Sequence, residues 1–123
     1  MKALSVKQPW AAAILFFGKD VENRTWKTDY RGPLLIHASK TFDHRGFERI
    51  RGRGDTRLPY FNYRENMGGI VGLVELVDCD CGYHPSDWAE RGYWHWILKD
   101  PEPLPFFACR GELGIFEVEY EQR

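Results

Sequence analysis

The amino-acid sequence predicts an α+β domain that is mainly β, a barrel of about six mostly antiparallel strands with two or three short flanking helices. Three observations support this fold. Short apolar segments recur along the chain, turns containing Gly or Pro separate them, and few helical crossovers lie between them. The 123 residues fit a single domain, residues 1–123, that is large enough to bury its own core.

The N-terminal segment predicts a short strand at residues 3–6 and then a helix. Pro9 suits the first position of that helix, where its missing N–H is not needed. Apolar side chains between residues 10 and 17 recur at helical spacing and define a buried face. Gly18 then ends the helix, since glycine tolerates a positive φ.

Runs of apolar residues predict the other strands, at residues 21–26, 34–39, 70–77, 93–98 and 111–120. A short helix is predicted at residues 43–51, a loop at residues 52–66 and a helical turn at residues 86–91 with Ser86 as its cap. Segment 70–77 is β-branched and almost wholly apolar, which indicates a central strand. Pro101, Pro103 and Pro105 are expected to interrupt regular structure.

The composition favours a folded protein outside the membrane. Hydrophobic residues make up 43% of the chain, which is enough to form a core. No segment approaches the roughly 20 apolar residues of a membrane span, and no leader peptide is expected. Cys79, Cys81 and Cys109 provide no disulfide framework, which favours a reducing, cytoplasmic location.

The net charge of −1 conceals an uneven distribution along the chain. Residues 1–64 contain 13 Lys and Arg against six Asp and Glu, whereas residues 65–123 contain four against 12. A basic surface on the folded molecule would attract a polyanion. Pairing of the two halves across the fold is the alternative, and charge asymmetry alone leaves both open.

Segment 22–26 carries the side chains that are most unusual for a predicted strand. Side chains alternate along a strand, so Glu22, Arg24 and Trp26 share one face, and Lys19 lies just before it. These groups suit a polar cleft, in which Trp26 stacks on a base while the others form hydrogen bonds or move protons. A solvent-facing pair of Glu22 and Arg24 is the alternative.

The predicted strand at residues 34–39 carries His37 and Ser39 on the face opposite its core face. A serine and a histidine together suggest a serine hydrolase, but no Gly-x-Ser-x-Gly motif surrounds Ser39. A structural histidine with satisfied hydrogen bonds is therefore favoured at this position.

Arginines and aromatic residues alternate between residues 43 and 66. Guanidinium groups contact phosphates, and aromatic rings stack on single-stranded bases. The arginines expected to contact RNA are Arg45, Arg49, Arg51 and Arg53. A solvated loop whose rings anchor it to the barrel is the alternative.

No metal and no cofactor are predicted. Cys79, Cys81, His84 and Cys109 supply four possible ligands, but the C-x-C spacing differs from the C-x₂-C of structural zinc sites. The sequence contains no Walker A loop, no dinucleotide-binding glycine motif and no H-E-x-x-H motif.

Several segments resemble the ASCH domain family. They are LSVKQPW at residues 4–10, KDVENR at 19–24, YRGPLLIHAS at 30–39, GIVG at 69–72, WHW at 94–96 and GELG at 111–114. The second of these is similar to the family's K-x-x-E-x-R signature, and the whole chain resembles a small stand-alone member of bacterial or phage type. The resemblance implies a PUA-like barrel whose cleft contains Lys19, Glu22 and Arg24 as candidate catalytic residues.

The resemblance also implies what the cleft binds. Many family members are presumed RNA-binding modules, one subgroup deacetylates acetylcytidine through a signature lysine and a threonine, and another member is a single-strand ribonuclease. Lys19 matches that lysine, whereas Glu22 stands at the threonine position. The candidate substrate-binding residues are Lys7, Gln8, Trp10, Trp26, Tyr30, His37 and Ser39.

Two hypotheses of function follow. The first is a module that binds RNA, a nucleotide or a nucleoside in the cleft around the K-x-x-E-x-R motif. The second is a small metal-independent hydrolase that acts on a modified nucleoside or on single-stranded RNA. Catalysis requires a shifted pKa at Lys19 or Glu22 in a water-poor pocket, whereas binding needs only charge and stacking. A protein-interaction domain is a third alternative; no membrane partner is expected, and a monomer is assumed.

Overall fold

The computed structural model describes residues 1–52 and 58–121. Its strands and helices, in chain order, are β1 (Lys2–Gln8), α1 (Trp10–Phe16), β2 (Val21–Arg24), β3 (Gly32–Phe42), α2 (His44–Arg51), β4 (Gly69–Cys81), β5 (Trp94–Ala108) and β6 (Ile115–Glu117). Two short 3₁₀ turns, Leu58–Tyr60 and Arg64–Asn66, lie between α2 and β4. The predicted RNA contact Arg53 lies outside the described residues.

The strands of the described residues form one six-stranded sheet in the order β2-β5-β4-β3-β1-β6. β1 and β3 are parallel, and the other neighbouring pairs are antiparallel. The sheet is barrel-like without being closed: the Arg24 side chain of edge strand β2 reaches the Ser5 carbonyl of β1, at 2.9 Å. The prediction of a mainly β, α+β fold with six mostly antiparallel strands is confirmed.

The core lies mainly between one face of the sheet and α1. Alternate residues of β3, namely Leu34, Ile36 and Ala38, pack there against the helix, as their spacing predicts. Leu35 lies on the opposite face in a smaller cluster, with Phe116 of β6. This alternation places the His37 side chain on the face of the sheet that points away from the helix.

Helix α1 forms where its apolar spacing predicts a helix, but its buried surface is broader than the single face expected, and Trp10 and Phe17 are only partly buried. Residues 11–15 are all buried, so the helix is enclosed by the fold on most of its surface. The Gln8 side chain accepts a hydrogen bond from the Ala12 N–H at 2.9 Å, which satisfies a donor of the first turn. Gly18 follows the helix with a φ of 78°, in the left-handed region that glycine tolerates.

The expectation that three prolines interrupt regular structure is wrong, because β5 continues through Pro101, Pro103 and Pro105. β2 pairs only with residues 94–97 of β5, so the second half of β5 has β4 as its one partner among the described strands. Register shifts between β4 and β5 also accompany this half. Proline is tolerated in a strand at such a free edge and at bulges, where no ladder N–H is required.

Other boundaries differ from the predicted ones. β2 ends at Arg24, so Trp26 lies in the bend that follows, and β6 is only three residues long. Segment 86–91 begins with a single turn at Ser86, as predicted: Ser86 accepts hydrogen bonds from the N–H groups of Trp88 and Ala89, and the turn does not extend into a helix. α2 forms as predicted, with Asp43 as its N-cap through a bond from the Gly46 N–H.

Among the described helices, none has the length and the apolar character that crossing a membrane requires.

Candidate functional site

An open groove of ≈ 1510 Å³ runs across the face of the sheet that does not pack on α1. Its walls come from β1, β3, the end of β2 and segment 108–114. The basic side chains that line it are Lys7, Arg24, Lys40 and Arg110, and the acidic ones are Glu22 and Glu112. The groove therefore carries more positive than negative groups, and three of its four basic residues belong to the basic N-terminal half of the chain.

Lys19, Glu22 and Arg24 form one polar cluster: Glu22 and Arg24 line this groove, and Lys19 lies behind them and lines a second cavity. Lys19 Nζ donates to Glu22 Oε1 at 2.8 Å and to the Val21 carbonyl. Arg24 Nε donates to the other carboxylate oxygen of Glu22 at 3.0 Å, and Arg24 Nη2 lies 2.9 Å from the same oxygen. The side chains of Lys19 and Glu22 are only 3% and 10% exposed. The carboxylate is thus held between two cations.

The charge of this cluster is fixed by its geometry. Burial by itself raises the pKa of Glu22, but the positive charges of Lys19 and Arg24, and the hydrogen bonds that they donate, hold it below its ordinary value of 4.5. Glu22 is therefore a carboxylate at neutral pH. It neutralises one of its two cationic neighbours, so the cluster as a whole keeps one positive charge.

The lowered pKa of Glu22 predicts a specific acid dependence of stability. A carboxylate whose pKa is lower in the folded than in the unfolded protein contributes stability that is complete above its ordinary pKa. That contribution is lost as the pH falls through the folded value. We expect Glu22→Gln to be much less stable than the wild type at pH 7, and this difference to narrow progressively below pH 4.5. Urea unfolding of both proteins over this pH range measures it.

A control for this experiment is Glu117→Gln, because Glu117 also has a lowered pKa through its bonds to Lys2 and the N-terminal ammonium group. Its side chain is 65% exposed, so solvent screens the pair. We therefore expect Glu117→Gln to change the free energy of unfolding at pH 7 much less than Glu22→Gln does. If the stability difference between Glu22→Gln and the wild type stayed constant from pH 7 to pH 3, Glu22 would not be a buried carboxylate paired with two cations.

A second, smaller cavity of ≈ 380 Å³ lies between β2, α2 and segment 88–93, and Lys19, Glu22 and Trp10 all line it. Lys19 Nζ lies 5.5 Å and Arg49 Cζ 5.7 Å from the centre of the Trp10 ring, within cation–π range. Trp10 Nε1 donates to Asp43 Oδ2 at 2.9 Å, which fixes the ring against α2. A Cβ atom on Gly46 would lie 2.3 Å from this ring, so glycine is required there.

Asp43 is held as an anion beside this ring. The hydrogen bond from the Gly46 N–H lowers the pKa of Asp43 most, and the Trp10 hydrogen bond and the charges of Lys7 and Arg49 lower it further, against the effect of burial. The N-cap and the ring contact therefore support each other.

Two aromatic side chains are exposed where the groove begins. Trp26 is 36% exposed and Tyr93 is 38% exposed, and both line the groove. The Trp26 ring packs edge to face on the buried Trp96, with centroids 4.7 Å apart and planes at 85°. Trp96 Nε1 also donates to the Trp26 carbonyl at 3.2 Å. The exposed ring is thus held on a rigid support.

Most of the predicted substrate-binding residues come together at the groove. Those that line it are Lys7, Trp10, Trp26, His37 and Ser39. Gln8 is buried beneath it, where its Nε2 donates to the Asn66 carbonyl at 2.9 Å. Tyr30 lies away from the groove and donates through its hydroxyl to the Pro33 carbonyl.

The three described arginines of the predicted RNA-contact set lie on α2, beside the second cavity and not in the groove. Arg49 lines that cavity and pairs with Glu90 at 2.7 Å. Arg51 pairs with Glu48 at 3.4 Å, and Arg45 is exposed. The rings of Phe47 and Tyr63 pack on each other and on Phe42, and Phe61 packs on Tyr63, which anchors the segment to the sheet.

Sequence reasoning missed several groove residues. Lys40 and Arg110 line the groove, although neither was a candidate. Ser5 and Gly111 also line it, and the sequence singles them out only through the segments at residues 4–10 and 111–114 that resemble the family. Arg110 and Gly111 follow β5, and only the pairing of β5 with β4 brings them near β3. The sequence signal that could have indicated one of them is a basic residue directly after a predicted strand, as Lys40 follows residues 34–39.

The cysteines do not converge on a metal site in the described part of the chain. Cys79 and Cys81 lie two positions apart on β4, and Cys109 lies beyond the end of β5. No group of three or more potential metal ligands meets among the described residues.

Comparisons with known proteins agree with this arrangement. The family model described as "ASCH domain" matches residues 4–104, which include most of β1, all elements from α1 to β4 and most of β5. A human protein, activating signal cointegrator 1, is 34% identical over 84 residues, which cover 62% of this chain and 14% of that protein. The chain therefore corresponds to a small part of that relative. Because the family model matches most of the chain, the chain belongs to the ASCH domain family.

Proposed function

We propose that this protein binds single-stranded RNA, or a nucleotide, in the groove above the cluster of Lys19, Glu22 and Arg24. The observation that carries the proposal is the combination of four basic side chains and an exposed, supported indole in one groove. The family assignment supports it, because ASCH domains generally bind RNA.

The charge of the groove suits a phosphate backbone. Lys7, Lys40 and Arg110 are exposed and free to meet phosphates along its length. Arg24 Nη2 is bound to Glu22 and to the Ser5 carbonyl, whereas its Nη1 has no hydrogen-bond partner among the described residues. A guanidinium held on one side and open on the other is well oriented to bind a phosphate or a base edge.

The exposed rings suit unpaired bases. Trp26 presents part of its surface to the groove while Trp96 fixes its orientation, so stacking requires little further ordering of the side chain. Tyr93 borders both the groove and the second cavity. Stacking on such rings requires bases that are not already paired in a duplex, which favours single-stranded RNA.

The geometry of Lys19 favours binding over catalysis by this lysine. Its Nζ is buried, donates to a carboxylate and a carbonyl, and faces the Trp10 ring. A lysine nucleophile must be free to reach the substrate, whereas this Nζ is bound to a carboxylate and a carbonyl. Lys19 therefore acts in this proposal as a positioning residue that holds Glu22 and, through it, Arg24. Hydrolysis of a modified nucleoside or of RNA by Lys19 stays a prediction that the same assay tests.

The proposal predicts that Trp26→Ala weakens binding of a single-stranded RNA. Loss of one stacking ring weakens binding by about 1–3 kcal/mol per base, which corresponds to a roughly 5- to 150-fold higher Kd. Fluorescence anisotropy with a labelled 12-nucleotide RNA at fixed salt measures the change. Trp26→Phe keeps a stacking face and should retain most of the affinity.

The salt dependence of the same binding separates a phosphate contact from a structural effect. Each neutralised phosphate of a single strand contributes about 0.7 to the slope of log K against log salt. Lys40→Ala should reduce that slope by about one such contribution, whereas Lys99→Ala, an exposed lysine outside the groove, should not change it. Binding that is independent of salt, or equal for Trp26→Ala and the wild type, would refute the groove as the RNA site. RNA or nucleoside turnover that Lys19→Ala abolishes would favour the hydrolase instead.

A further inference from the structure

Ser5 and His37 lie side by side in the wall of the groove, next to the Arg24 end of the Lys19 cluster. They are register partners in the parallel pair of β1 and β3, which places their side chains on the same face of the sheet. The Ser5 Oγ is 3.1 Å from His37 Nδ1, and both residues line the groove. Ser5 is partly exposed, whereas the histidine is 2% exposed.

The hydrogen bonds around His37 determine its tautomer. Its Nε2 lies 2.8 Å from the Cys109 carbonyl oxygen, which can only accept a hydrogen bond. Nε2 therefore carries the proton, and Nδ1 of the neutral ring holds a lone pair directed at Ser5 Oγ. The Ser5 hydroxyl donates to that lone pair. A serine that donates to a histidine, with the histidine oriented by a third group, is the arrangement of an activated nucleophile.

We propose that Ser5 and His37 form a nucleophile–base pair that hydrolyses carboxylic esters reaching the groove. Ser5 Oγ attacks the ester carbonyl carbon as His37 Nδ1 takes the hydroxyl proton, and the departing alcohol oxygen then takes that proton from Nδ1. A water molecule, deprotonated by Nδ1, attacks the acyl-serine. The carboxylic acid leaves and Ser5 recovers its proton, so atoms and charges balance. This activity goes beyond RNA binding, which requires neither residue to react.

The surroundings of the pair favour this chemistry. Arg24 Nη2 donates to the Ser5 carbonyl at 2.9 Å, which places a fixed positive charge next to the nucleophile's own backbone. The field of this charge favours negative charge that develops near Ser5, although the Nη2 group itself is already bound to Glu22 and to the Ser5 carbonyl. The His37 ring is held by edge-to-face packing on Phe116, with centroids 5.8 Å apart. The His37 ring is therefore already held in the orientation that proton transfer requires.

The pair also explains why a glycine stands at position 111. A Cβ atom there would lie 2.7 Å from His37 Cε1 and 3.0 Å from Ser5 Oγ. Any side chain at position 111 would therefore press on the hydrogen bond between them. This offers a variant, Gly111→Ala, that disturbs the pair without removing either reacting group. Gly52→Ala is its matched control, since a Cβ at position 52 makes only an ordinary contact of 3.6 Å.

The test uses the whole protein, p-nitrophenyl acetate as substrate and a fluorophosphonate as a covalent probe of activated serines. We expect one phosphonyl adduct on the wild-type protein, mapped by mass spectrometry to the peptide that contains Ser5. Ser5→Ala should lose both adduct and turnover, and His37→Gln should reduce turnover on the order of 10²-fold or more. The turnover of Gly111→Ala should be well below that of Gly52→Ala. Ser86→Ala replaces a serine outside the groove, and its turnover should equal that of the wild type.

The wild-type labelling does not depend on whether any variant folds. No adduct, an adduct on another serine, or Ser5→Ala turnover equal to that of the wild type would overturn the proposal. RNA binding is measured separately by anisotropy, so failure of this proposal and failure of the RNA-binding proposal are distinguishable.

Discussion

Replacing Lys19 with alanine is expected to lower the free energy of unfolding by about 3–5 kcal/mol. The substitution leaves the buried Glu22 carboxylate with only Arg24 as its charged partner, and it also removes the Nζ contact with the Val21 carbonyl. Breaking one side of a buried ion pair is far more destabilising than removing a surface charge, because the remaining charge stays out of water. Urea unfolding at pH 7 measures the change.

Two further variants show whether the buried charge is the cause. Lys99→Ala removes an exposed lysine and should stay within about 0.5 kcal/mol of the wild type. Lys19→Met combined with Glu22→Met removes both charges and keeps the volume, so it should be more stable than Lys19→Ala, because no carboxylate remains buried. If Lys19→Ala proved as stable as Lys99→Ala, the side chains of Lys19 and Glu22 would not form a buried pair.

Replacing Trp96 with alanine is expected to cost about 3–5 kcal/mol of stability and to weaken RNA binding as well. Trp96 is fully buried in the main core, and the substitution leaves a large cavity there. It also removes the ring and the N–H that hold Trp26 in place. Thermal unfolding measures the first effect, and anisotropy with the labelled RNA, at a temperature where the variant is folded, measures the second.

Trp96→Phe separates these two effects, because phenylalanine refills part of the core but cannot donate to the Trp26 carbonyl. We expect it to recover more than half of the lost stability and a smaller share of the lost affinity. Equal recovery of both would mean that Trp26 does not depend on Trp96 for its position. Full RNA affinity in folded Trp96→Ala would show the same.

Local periodicity was sufficient to predict the elements that surround the site. The apolar spacing of α1 and the alternation along β3 are properties of neighbouring residues, so both are readable without knowledge of the fold. The same holds for Glu22 and Arg24, which lie two positions apart on β2 and do meet. Lys19 joins them because the chain reverses at Gly18, only one residue earlier.

Contacts between distant segments could not be predicted in this way. Ser5 and His37 are 32 positions apart and meet only because β1 and β3 pair in parallel, in a register that the sequence pattern does not determine. His37 and Cys109 are 72 positions apart. The prolines of β5 misled the strand prediction for a related reason: whether proline is tolerated depends on which side of the strand has a partner.

The free edge of β5 has a consequence for how the molecule behaves at high concentration. An open sheet exposes unpaired backbone groups that can recruit a strand from another copy of the chain, which is how many β proteins polymerise. Along the second half of β5, proline occupies three alternating positions and supplies no N–H at any of them. An incoming strand would find an interrupted ladder there, so this stretch of the sheet edge resists the addition of a strand from another molecule.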